Sequence, residues 1–189
     1  MRSAALASAI GVLGVLWLLP LERWAPGFPV HMLRHMGLVA VAAPLLVIGL
    51  PRLGQALAIN PLVAAAAEFV VVWGWHLPAA HGAARTAAVP LVLEQGSFLV
   101  VGLMVWAGCL RAREPLSGAG GLLLTSMHMT LLGALLTLAP RDLYAEVCGT
   151  APNLGAQQAG GLLMLVIGTP VYLVAGLALT ARRLSERMA

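Results

Sequence analysis

The stretch GLLLTSMHMTLLGALLTL, Gly121 to Leu138, carries no Asp, Glu, Lys or Arg. A helix needs about 20 apolar residues to cross the bilayer hydrocarbon, and this run comes close to that length. Its apolar character is continuous rather than alternating, which reads as helix and not as a barrel strand. Comparable runs occur at Ala4–Leu19, Leu33–Leu50, Leu62–Leu77, Val89–Leu110 and Ala159–Thr180. Proline marks most of the breaks between them, at Pro20, Pro29, Pro51, Pro61, Pro78, Pro90, Pro115 and Pro140. Lacking an N–H, it suits helix starts and interruptions. Of the 189 residues, 60% are hydrophobic and only 10% charged, too few to clothe a water-facing surface. The expectation is an all-α fold: one polytopic membrane bundle over residues 1–189, with about six transmembrane helices and the lipid bilayer as its solvent.

The net charge of +4 rests on arginine alone, since there is no lysine. The arginines are scattered at the ends of apolar runs, which speaks against nucleic acid and for orientation in a membrane. Arg2, Arg52, Arg111, Arg113, Arg182, Arg183 and Arg187 flank one set of ends. Arg23, Arg34, Arg85 and Arg141 flank the other. The richer set is placed in the cytoplasm, so both termini are expected there. The first apolar run also suits a signal peptide. However, it ends in PLERWAPG with no small-x-small cleavage site, so a retained span is expected. Cys109 and Cys148 match no CxxC spacing and fall on opposite faces, so both are read as free thiols.

This orientation gathers the polar chemistry in the outer half of the membrane. In HMLRHM, His31 to Met36, His31 and His35 share one helical face, with Met32 and Met36 about 100° around. Imidazole with thioether suits copper, as Cu(I); an interfacial histidine pair with methionine packing is the plainer alternative. In WGWHLPAAH, Trp73 to His81, interfacial aromatics and Pro78 explain much of the pattern. His76 at the edge of a span calls for a partner or a cavity, and His81 falls in the following outer loop, where it is either solvated or functional. MHM, Met127 to Met129, sets His128 deep in a span, where it must be hydrogen-bonded, paired or ligating. Only one of its flanking methionines fits alongside it on a single ion. Glu68 and Glu94 are acids within spans, suited to balancing a metal charge, relaying protons or bonding a neighbouring helix. No P-loop, GxSxG or HExxH occurs, and no nucleophile stands with a base, so an enzyme is not expected.

In order along the chain, HMLRHM, APLLVIGLP (Ala43–Pro51), Asn60-Pro61, WGWHLP, Glu94 with Phe98, Gly102 and Trp106, MHM with LLGALLTLAPRDLY, and QQAGGLLM (Gln157–Met164) resemble the polytopic CtaG family of cytochrome c oxidase assembly factors. Departures are Gln95, Ala156 and Leu165, where that family commonly has histidine, an acid and tryptophan. The resemblance implies a copper chaperone or scaffold in the bacterial cell membrane. It would act on haem-copper oxidase subunits, supplied by a copper donor protein, and serve the oxidase copper centre. The expected site joins His31, His35, His76 and His128 within about 5 Å of one another, near enough for one ion. Met32, Met36, Met127 and Met129 are auxiliary ligands in this reading, and Glu94, His81 and Glu68 surround them. The rival readings are a haem-binding electron-transfer subunit, an ion transporter using Glu68 and Glu94, and a metal-free scaffold for an oxidase subunit.

Overall fold

The computed structural model describes residues 1–24 and 27–188, with side chains described to Ser185. All regular structure among them is helical. The helices are α1 Arg2–Leu18, α2 Phe28–Gly49, α3 Pro51–Ala56, α4 Pro61–Trp75, α5 Pro78–Thr86, α6 Ala88–Leu110, α7 Pro115–Leu138, α8 Ala145–Cys148 and α9 Leu154–Ser185. Four of these, α2, α6, α7 and α9, are long and apolar enough to cross a membrane. The pair α4–α5 passes the same test together but bends by 71°, and α1 is a shorter apolar helix. The chain is a multi-pass membrane bundle, as its composition implied.

Local chemistry sets the helix ends. Asn60 caps α4, its Oδ1 accepting from the N–H groups of Leu62 (2.9 Å) and Val63 (3.4 Å), while Pro61 takes the first turn, where no N–H is needed. Arg34 donates from Nε to the Leu16 carbonyl at 3.0 Å, satisfying one open carbonyl at the end of α1. The same guanidinium pairs with Glu22 at 2.7 Å and lies over the Trp17 ring. At the opposite end Arg111 donates to the carbonyls of Val47 and Pro51, and Arg183 lies 3.5 Å from Glu114. Arg34 of one set and Arg111 and Arg183 of the other therefore stand at opposite ends of the bundle.

Both α2 and α9 contain a wide π-type turn, at Gly37–Ala42 and Met164–Gly168. Such turns displace the backbone from regular pairing. In α2, the Val39 carbonyl accepts from Trp106 Nε1 at 2.8 Å and lies 3.1 Å from Tyr172 Oη, bringing α2, α6 and α9 together.

The loop between α7 and α9 is held by two side chains of the recognisable motifs. Asp142 accepts from the N–H groups of Tyr144 (2.8 Å), Ala145 (3.1 Å) and Asn153 (2.8 Å). Gln157 accepts from Leu143 N–H at 2.7 Å and donates to the Leu136 and Arg141 carbonyls. Burial pushes the Asp142 carboxyl up, but the donors from Asn153, Tyr144 and Ala145 outweigh it and hold its pKa below 3.8. A depressed pKa stabilises the folded loop above the unfolded value, and that stability is lost as pH falls through the folded one. Protection of the Tyr144 and Asn153 amides, measured against their intrinsic exchange rates, is therefore expected to fall on acidification below about pH 3.8. Asp142→Asn is expected to show low protection with no acid step, and an acid step unchanged in Asp142→Asn would contradict this assignment.

Candidate metal centre

α2 begins with Pro29 in its first turn and runs unbroken through HMLRHM. His31 and His35, one turn apart, point the same way and are both fully buried. α4 ends at Trp75, and Trp75 Nε1 donates to Ser97 Oγ (2.9 Å), which donates to the Glu94 carbonyl (2.9 Å). That chain of bonds sets the corner at His76 level with Glu94 on α6. His76 Nδ1 lies 2.7 Å from the Val72 carbonyl. A carbonyl only accepts, so Nδ1 carries the proton and Nε2 keeps its lone pair. Metal-binding histidines are commonly anchored this way through the other ring nitrogen.

The ligand atoms of His31, His35 and His76 all lie within 4.8 Å of one another, and so do those of His31, His81 and Glu94. His31 belongs to both groups. His31 Nδ1 is 3.5 Å from Glu94 Oε2, and His81 Nδ1 is 3.9 Å from Glu94 Oε1, both too long for good hydrogen bonds. Glu94 Oε2 accepts from Gln95 Nε2 at 2.9 Å. Seven buried atoms here have no hydrogen-bond partner among the described residues: both ring nitrogens of His31 and of His35, His76 Nε2, His81 Nδ1 and Glu94 Oε1. Buried polar atoms are nearly always paired, so this concentration of unpaired ones is a group that could hold a metal ion.

The walls are aromatic. His35 stacks on Phe98 with ring centroids 4.0 Å apart. Phe28 lies over the other end of the cluster, 5.6 Å from His31 and 5.3 Å from His81, and stacks on Tyr144 at 4.7 Å. Tyr144 Oη donates to the His76 carbonyl at 2.9 Å, pinning the loop over the corner. Beyond Phe28 opens a cavity of about 430 Å³, whose wall includes His81, Arg85, Tyr144 and Cys148.

The sequence reading needs three corrections. His81 is not in a loop: Pro78 ends one helix and starts another, so His81 sits in α5, folded back and 1% exposed. His128 does not join the other histidines. It faces α4 lower down, with Nε2 4.0 Å from Glu68 Oε2, while Glu68 Oε1 accepts from Tyr172 Oη at 2.9 Å. Met127 is 68% exposed on the outer surface of α7, turned away from every candidate ligand by the same rotation that aims His128 inward.

The other methionines are buried but packed towards α9. A Cβ added at Gly160 would lie 3.2 Å from Met32 Cγ, and one at Gly168 would lie 2.9 Å from Met36 Sδ and 3.8 Å from Met129 Cβ. The glycines make room for the thioethers there. Cys109 and Cys148 are both free thiols, at opposite ends of the bundle. Phe28, Phe98, Asp142 and Gln157, which frame the cluster, carry no chemistry visible one residue at a time. For Phe98, Asp142 and Gln157, presence within the ordered motifs was the only signal; Phe28 lies outside those motifs and had none.

A family model described as Cytochrome c oxidase caa3 assembly factor (Caa3_CtaG) matches residues 1–186. No curated protein and no solved structure matches the chain.

Proposed function

Because the chain belongs to the Caa3_CtaG family of cytochrome c oxidase caa3 assembly factors, we propose that it holds Cu(I) on His31, His35 and His76 and hands it to an oxidase copper centre. The observation that carries this reading is the buried histidine triad with its unpaired nitrogens. At a metal–nitrogen bond of about 2.05 Å, three imidazoles around one ion stand roughly 3.5 Å apart. The triad therefore needs to close by only about an ångström. Imidazole suits copper, and three neutral ligands leave the ion one net charge, which Glu94 beside His31 balances. An assembly role makes the copper cargo, so the site has no need of a catalytic group. The protein would act in a bacterial cell membrane, with the histidines on the outer side as the arginine distribution indicates. Oxidase subunits and a copper donor protein would be its partners.

The geometry favours this over haem ligation. A haem held between two histidines needs a flat slot for the macrocycle. Here the imidazoles pack ring to ring, with centroids 4.6 to 6.3 Å apart, between Phe28 and Phe98. The deciding experiment loads the purified protein with Cu(I) under reducing conditions and measures bound copper by competition with a chromophoric chelator. One tightly held copper per chain is expected in the native protein. None is expected after His31, His35 and His76 are all replaced by alanine. Equal binding by both proteins, or preference for Zn(II) over Cu(I) in parallel loading, would overturn the reading.

A further inference from the structure

Resting on that copper reading, we infer that His31, His81 and Glu94 form a second, receiving station through which the ion reaches the inner triad from the cavity beyond Phe28. Four observations point there. The two ligand groups share one residue, His31, so the two stations adjoin. Of all the ligands, only His81 also lines the cavity. His81 Nδ1 and Glu94 Oε1 have no hydrogen-bond partner although both residues are buried, which a merely structural pair would not leave. Finally, the carboxylate belongs to the group nearer the cavity, where an arriving cation first sheds water and most needs an opposing charge.

The transfer is a ligand exchange. The bonds from copper to His81 and Glu94 break as bonds to His35 and His76 form, and His31 is a ligand at both stations. Copper stays Cu(I) throughout, and no proton need move, because His76 already presents an unprotonated Nε2. Cu(I) prefers nitrogen to carboxylate oxygen, so the step from the receiving station to the three-imidazole station runs downhill.

A station on the path changes rates, not the end state. Removing it slows uptake and release alike, because both pass the same point. In stopped-flow loading of the full-length protein with chelated Cu(I), His81→Ala is expected to take up copper about tenfold more slowly, with its affinity nearly unchanged. Free imidazole, small enough for the cavity, is expected to restore the rate. His81→Gln should behave as His81→Ala does, without its loss of volume. His35→Ala with His76→Ala is expected to leave one weakly held copper, which disappears when His81→Ala is added. A His81→Ala protein that loads at the native rate overturns the relay, as does one whose affinity falls in step with an unchanged rate of uptake. If the native protein binds no Cu(I), the copper reading itself falls, an outcome distinct from either.

Discussion

Replacing His31 with alanine is expected to abolish tight Cu(I) binding, whereas losing His35 or His76 alone is expected to weaken it by about ten- to a hundredfold. The difference follows from the connectivity of the site. An ion deprived of His35 keeps His31 and His76 and can recruit His81 or Glu94, all of which stand around His31. Without His31, the His35–His76 pair and the His81–Glu94 pair are separated by the space its ring occupied, and neither offers three ligands. The measurement is competition against a Cu(I) chelator of known affinity, with monodispersity in detergent checked for each variant. His31 is fully buried between Phe28 and Phe98, so its removal also leaves a hole. His31→Gln keeps most of the volume and should lose copper just as completely. His31→Gln binding as tightly as His35→Ala would show that the two groups of ligands do not share a centre.

The sequence revealed this site unevenly, for reasons that differ by residue. His31 and His35 were legible because an i, i+4 spacing fixes a common face whatever the helix packs against. His76 was legible in depth, since it ends an apolar run beside an interfacial tryptophan. His81 was not, because Pro78 reads equally as the end of structure or as the first residue of a new helix. Only the 71° fold-back returns that histidine to the bundle. His128 failed in the opposite way. Its depth was right, but the direction a helix face points depends on which neighbour it packs against. α7 meets α4 at Glu68, below the corner that carries His76. All six apolar runs are helices in the structure, though α1 is short and α4 passes the membrane-length test only together with α5. Asp142 and Gln157 show why ordered motifs carry more than their chemistry. Their work is to bond loop backbone, which places Tyr144 over the site, and nothing in a side chain announces that.

The second large effect is expected at Gly161, where valine should destabilise the bundle by several kcal/mol, enough to strip much of the protein from the membrane. Gly160 and Gly161 let α9 wedge between α2 and α7. A Cβ at Gly161 would stand 2.8 Å from both the Gly133 carbonyl oxygen and the Thr137 nitrogen, so only movement of a whole helix relieves it. Close small-residue contacts of this kind supply much of the packing between helices in lipid, where apolar burial alone gives no preference for a neighbour. Gly160 faces the other way, and its Cβ would meet the Phe28 ring and Met32 Cγ. Those are side chains, which yield more cheaply than backbone, so Gly160→Ala is expected to cost about 1–3 kcal/mol. Gly120, also within α7, has nothing within 4 Å of such a Cβ. Gly120→Ala should therefore be neutral or gain up to about 1 kcal/mol from helix propensity. Thermal unfolding in detergent, followed by size-exclusion chromatography after heating, orders the three variants. The geometry requires Gly161→Val to fall furthest, Gly160→Ala less, and Gly120→Ala not at all. Gly161→Val melting with the native protein would mean that α9 does not lie against α7 at this point. The roof that Phe28 makes over the histidines would then lose the support described for it.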